Sequence, residues 1–268
     1  MIGDVATARA HSDGSQTAAV RGAQDDGASE GVTPFFPDWV IPLQPEGAGR
    51  PVFVFPSADN EPMAIRIEAE IADRVGRDHP FWAFARDDSH LDLVRERGAG
   101  AVVAQYIAQM RAIQGKGPFL LTGHCIGGYA AWETARQLLD AGEEIAGILF
   151  YEVPIRPDFA RVLPGHPPVH DTKNIMRLAH YYRPQALPID LTYLMTESWQ
   201  GWNSWAPWQD VVLGTFETVV LPDITLGSEE FRARREAMLA QHVREWIDKS
   251  EARLRGTSAP DGVPVSPA

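Results

Sequence analysis

The chain holds one cysteine, Cys125, in 268 residues. An intramolecular disulfide is therefore excluded, and a reducing cytoplasm is the expected compartment. Positive charge is scarce too: 24 Lys and Arg stand against 36 Asp and Glu, a formal net charge of −12. A nucleic-acid backbone and an anionic lipid surface both select clustered cations, so neither is an expected partner. No apolar run reaches the roughly 20 residues that span a bilayer. Residues 1–33 lack the apolar stretch of a secretory signal. The first apolar strand is not followed by a glycine-rich phosphate loop, and the histidines are not spaced as zinc ligands. No resident cofactor and no metal are expected.

What remains is an ordinary globular composition, 44% hydrophobic and 22% charged. It suffices for one substantial core. Residues 1–33 are small and polar and residues 256–268 mix Pro, Gly and Ser, so both are expected to be disordered. A single domain is expected over 34–255.

Within that span, apolar runs alternate with amphipathic stretches. Pro51–Pro56, Phe81–Phe84, Phe119–Thr122, Ile145–Tyr151, Leu191–Met195 and Glu217–Leu221 read as strands. Val102–Gln114, Ile126–Ala141 and Glu229–Ile247 read as helices. The first runs are wholly apolar, as in strands buried on both faces. The alternation predicts a mostly parallel sheet covered by helices, with ligands bound beyond the carboxyl ends of the strands.

At one such end stands Gly123-His124-Cys125-Ile126-Gly127-Gly128, between a predicted strand and a predicted helix. The pattern is glycine, any residue, nucleophile, any residue, glycine. A strand that reverses sharply into a helix forces strained dihedrals on the central residue and leaves no room for side chains two positions away. The helix N-terminus favours a thiolate, and the Ile126 N–H points where an oxyanion would form. The same residues also fit a glycine-lined turn around a buried thiol. The strand before and the helix after favour the nucleophile.

Gly117–Val153 resembles the thioesterase domains that end nonribosomal peptide and polyketide synthases, with Cys125 where that family has serine. The resemblance runs upstream through Ile41–Pro45 and His79–Trp82, and more weakly downstream through Tyr182–Pro184 to about Ile247. It implies an α/β-hydrolase fold, with a lid over about 155–180. It also implies thioester substrates carried on the phosphopantetheine of a partner carrier protein or coenzyme A, and a small-molecule acyl acceptor. The family's triad acid falls on Glu152, 27 residues after Cys125, where the family has Asp; Glu197 is the alternative. Ser57 or Ala58 would supply one backbone N–H to the oxyanion beside Ile126, although Asp59 adds an unfavourable charge. The family's histidine position holds Ile224, which cannot deprotonate water. His166, His170, His180 and His242 are the remaining histidines after Glu152.

Cysteine and the missing histidine fit together. A thiol ionises near pH 8.5 unperturbed and reacts without a strong base, whereas a serine hydroxyl does not. The expected activity is acyl transfer through Cys125 to a nucleophile other than water; hydrolysis and a degenerate binding role are the alternatives. Trp199, Trp202, Trp205 and Trp208 fall in a stretch expected to be a loop, as a wall of the acyl pocket or as a satellite core. Arg95, Arg97, Arg232, Arg234 and Arg235 are candidates for docking an acidic carrier, or for a solvated face.

Overall fold

The computed structural model describes residues 39–57, 62–84, 99–154, 183–202, 205–223 and 229–257. Seven strands form one sheet: β1 (Val40–Gln44), β2 (Val52–Phe55), β3 (Phe81–Phe84), β4 (Phe119–His124), β5 (Ile145–Tyr151), β6 (Leu191–Thr196) and β7 (Phe216–Leu221). The helices are α1 (Pro62–Val75), α2 (Ala99–Gln114), α3 (Gly127–Asp140), α4 (Glu197–Trp202) and α5 (Glu229–Thr257), with a 3-10 turn at Ala206–Asp210.

The strand order is β1-β3-β2-β4-β5-β6-β7, with β1 antiparallel to β3 and every other pair parallel. This is the α/β-hydrolase arrangement expected from the sequence. β2 is buried along its whole length and β4 and β5 over most of theirs, as strands covered on both faces must be. β1 lies at the antiparallel edge, where Pro42 is tolerated because no ladder needs its missing N–H.

Alternation along β4 sends its side chains to two cores. Phe119 and Leu121 join Phe53, Phe55, Ile148, Phe150, Tyr193 and the buried faces of α2 and α3. Leu120 joins Val52, Val54, Leu149 and Leu194 against α1 and α5. The sheet is thus sandwiched, and its carboxyl ends rise between the two helical layers.

The strands follow the sequence expectation to within a residue or two at each end. Two elements were not expected: α1, and the edge strand β1. The tryptophan-rich stretch differs from its expected loop, coiling into α4 and the 3-10 turn. α5 runs ten residues past its expected end at Ile247, to Thr257. The terminal segments 1–38 and 258–268, and the expected lid, fall outside the described residues. No helix among the described residues is long and apolar enough to cross a membrane.

Candidate active site

β4 ends at His124, paired with Tyr151 of β5. One residue later the Cys125 N–H still donates to the Tyr151 carbonyl at 2.9 Å. There the chain reverses: Cys125 has φ +50°, in the left-handed region, and α3 begins two residues on. A non-glycine residue in that region costs on the order of 1 kcal/mol or more. Here the surroundings enforce it.

Three glycines make the turn possible. A Cβ on Gly123 would stand 2.4 Å from the Gly128 Cα, and one on Gly127 would stand 2.1 Å from the Phe55 carbonyl oxygen. One on Gly128 would meet both methyls of Val153 at 2.4 Å. The elbow is therefore wedged between the exit of β2 and the exit of β5. The predicted spacing of glycines about Cys125 is explained by close contact, with backbone at Gly123 and Gly127 and with the Val153 side chain at Gly128, not by flexibility.

β5 repeats the device beside it. Glu152 donates its N–H to the Leu194 carbonyl of β6 at 3.0 Å, then also turns with φ +50°. Because His124 and Tyr151 are in register, Cys125 and Glu152 leave neighbouring parallel strands at the same level. Such strands lie about 4.8 Å apart. Glu152 Oε1 accepts from the Thr196 hydroxyl at 2.6 Å and from the Thr196 N–H at 3.2 Å. The carboxylate is thus held at the carboxyl end of β6. Glu197, the alternative acid, is exposed at the start of α4.

Cys125 is half-buried and packs against the core that holds Ile126 and Phe150. Ile126 is buried as the N-cap of α3, in the first turn, where N–H groups have no acceptor within the helix. Ser57 follows the β2 exit that abuts Gly127; Ala58 and Asp59 lie outside the described residues.

Three histidines fall among the described residues, and each faces elsewhere. His124 turns to the opposite face of the sheet, with Nδ1 3.4 Å from Glu68 Oε1 and its ring against Tyr151. His79 Nδ1 contacts the Arg50 carbonyl, before β2 at the far end of the sheet. His242 pairs with Glu245 on α5. Ile224, His166, His170 and His180 lie outside the described residues. Among those described, no group of His, Cys, Asp and Glu side chains is arranged to hold a metal ion.

The tryptophans are divided. Trp208 is fully buried against Trp132 and Phe150, with its Nε1–H donating to the Val153 carbonyl at 2.7 Å. Trp199 is buried and donates to the Tyr193 hydroxyl at 3.2 Å. Trp205 is half-buried, stacked on Phe216. The Trp202 side chain is outside the described residues. Trp199 and Trp208 therefore pack behind the acid turn.

The sequence did not single out Tyr129 and Tyr193, which serve the same turn. Tyr129 donates its hydroxyl to the Pro154 carbonyl, and Tyr193 donates to the Val153 carbonyl at 2.7 Å. Burial raises the pKa of both hydroxyls, and the nearby Cys125 adds to the rise in each. Both remain protonated donors. Of the candidate docking arginines, Arg234 is exposed. Arg235 is half-buried beside Glu68, His124 and Tyr151 in a small cleft behind the elbow. Arg95, Arg97 and the Arg232 side chain lie outside the described residues.

A model of the thioesterase domain family matches residues 77–157, a span containing both Cys125 and Glu152. Over 112 residues the chain is 38% identical to the non-reducing polyketide synthase crz7 of Cladonia metacorallifera, covering 42% of this chain and 5% of that protein. Over 134 residues it is 27% identical to indigoidine synthase of Dickeya dadantii, covering 50% of this chain and 8% of that protein. The chain thus spans a small fraction of these relatives' length. Among solved structures it is similar to the type II thioesterase BorB from the borrelidin biosynthetic cluster. That match has a TM-score of 0.55 at 17% identity and covers 78% of this chain and 97% of BorB. The NocB thioesterase domain in covalent complex with a fluorophosphonate nocardicin G analogue matches with a TM-score of 0.54 at 16% identity, over 80% of this chain and 99% of that one. At such identities the structural likeness is one of fold. Residues 77–157 match the thioesterase domain family model, and the sheet built around them has the α/β-hydrolase fold of the solved thioesterases.

Proposed function

We propose that this chain is an acyl-transfer enzyme that takes an acyl, aminoacyl or peptidyl group from a phosphopantetheine thioester onto Cys125 and passes it to a nucleophile other than water. The observation that carries the reading is the half-buried thiol at φ +50° on a strand-to-helix turn. A backbone held in that conformation by three glycine contacts costs free energy, as expected where strain serves a site.

The steps balance without an imidazole. The Cys125 thiolate attacks the thioester carbonyl, the oxyanion is met by the Ile126 N–H and a donor from the β2 exit, and the carrier thiolate leaves. Thiol-to-thiol acyl exchange is close to thermoneutral. In the second half an amine or thiol acceptor attacks the acyl-Cys carbonyl. Its proton passes to solvent or to Glu152, and the Cys125 thiolate leaves. Water is a poorer nucleophile and needs a general base, so the acyl-enzyme is expected to persist without an acceptor. The donor would arrive on a carrier protein, as the multidomain synthases among the relatives suggest, or on coenzyme A. Exposed Arg234 is a candidate contact for an acidic carrier.

Intact mass and free thiol, followed after mixing the protein with an acyl-pantetheine thioester, test the proposal. The expected result is a long-lived acyl adduct that is absent in Cys125→Ala and discharged by an added amine or thiol. Rapid release of free acid would instead favour a hydrolase completed by a histidine from 155–182. No adduct at any concentration would leave only a binding role.

A further inference from the structure

We infer that Trp208 is a positioning residue for Glu152, acting through the Val153 carbonyl. The inference rests on the roles proposed above for Cys125 and Glu152.

The Val153 carbonyl oxygen receives two hydrogen bonds, from Trp208 Nε1–H and from the Tyr193 hydroxyl, each 2.7 Å long. Both lone pairs of that oxygen are thus occupied. Trp199 Nε1–H donates to the Tyr193 hydroxyl at 3.2 Å, so the hydroxyl's own proton is directed at Val153. Tyr129 holds the next carbonyl, that of Pro154. On the other side of the turn the Glu152 N–H is fixed by Leu194. Glu152 is therefore pinned on both sides while its own φ is left-handed, a conformation a free glutamate avoids. Val153 itself is fully buried and its methyls abut Gly128 of the elbow helix, so one clamp sets both reversals.

Filling space alone would not need a tryptophan donor. Trp208 is buried among Trp132, Phe150 and Tyr129, where a phenyl ring would pack. What the indole adds is one N–H aimed at the backbone one residue beyond Glu152. Without it the Val153 carbonyl is held by Tyr193 alone, the turn relaxes, and the carboxylate loses its alignment with Thr196.

The test uses the full chain, an acyl-pantetheine donor and N-acetylcysteamine as the thiol acceptor. Trp208→Phe is expected to slow single-turnover transfer about tenfold while the final extent of Cys125 acylation stays unchanged. In a Glu152→Gln background the same substitution is expected to change the rate less than twofold. Equal slowing in both backgrounds, or Glu152→Gln at the full wild-type rate, overturns the inference. Hydrogen exchange at the Glu152 amide is read in parallel and needs no turnover. It should accelerate about tenfold in Trp208→Phe, with the Leu149 amide unchanged; unaltered protection overturns the inference even if no acyl-enzyme forms. A wild-type protein that never acylates refutes the proposed function alone, since exchange still decides the clamp. Should Trp208→Phe fail to fold, Tyr193→Phe removes the other donor to the same carbonyl and must give the same pattern.

Discussion

Gly128 meets Val153 where the two reversals touch, and a double-mutant cycle there tests whether the elbow is shaped by packing. Gly128→Ala would set a methyl 2.4 Å from both Val153 γ-carbons, where ordinary contact begins near 3.4 Å. Val153 is fully buried, so about 1 Å of displacement must be absorbed by β5's exit or by α3. Overpacking of this kind costs about 1–3 kcal/mol, and the better helix propensity of alanine offsets up to about 1 kcal/mol. A net loss of about 1–2 kcal/mol is expected, a fall of roughly 2–8 °C in Tm for a domain of this size. Val153→Ala alone removes two buried methyls and is expected to cost about 2 kcal/mol. In the double variant the new methyl occupies space the lost ones vacate, so Val153→Ala should cost little or even restore stability. Urea unfolding of the four proteins gives the coupling term. If Val153→Ala costs its full amount in both backgrounds, the reasoning fails, because the contact that makes glycine obligatory would not exist.

Two further predictions concern strain and protonation. Cys125→Gly removes the cost of φ +50° at a non-glycine residue. The variant is expected to unfold at the same or a higher urea concentration, by up to about 1 kcal/mol, while forming no acyl adduct; a clear loss of stability would show that the elbow is not strained. Glu236 of α5 is fully buried, and burial followed by the neighbouring Glu70 pushes its carboxyl up to about 7. The folded state then binds this proton more tightly than the unfolded chain, so this group's contribution to stability is fully present at low pH and is lost as pH rises from about 4.5 through 7. The gap corresponds to at most about 3 kcal/mol, shared with Glu70 and eased by Arg74 at 4.0 Å. Glu236→Gln should therefore raise Tm at pH 8 and have little effect at pH 5. An equal shift at both pH values would refute the assignment.

Much of the sheet was legible because its strands are buried on both faces, and burial writes an unbroken apolar run into the sequence. Phe81–Phe84 and Ile145–Tyr151 show this directly. β1 was not legible, since an edge strand carrying Pro42 and ending in Gln44 has no such run. α1 sits half-exposed over the sheet, and the apolar–charged alternation from Ile65 to Ile71 has the period of a strand and masks the helix.

At the site, composition and spacing alone determined that Cys125 stands between strand and helix, because glycines at fixed offsets are a local demand of one sharp turn. The matching reversal at Glu152 was decided by tertiary structure. No glycine marks it, and its left-handed φ is enforced by groups 23 to 56 residues away, among them Tyr129 before it and Leu194, Tyr193 and Trp208 after it. The tryptophans were ambiguous for the same reason. An indole serves equally as pocket wall or as buried donor, and only its partner distinguishes them: for Trp208 that partner is a backbone carbonyl beside the acid. Local backbone geometry is encoded where it occurs, whereas a hydrogen bond that closes a long loop is visible only once the loop has closed.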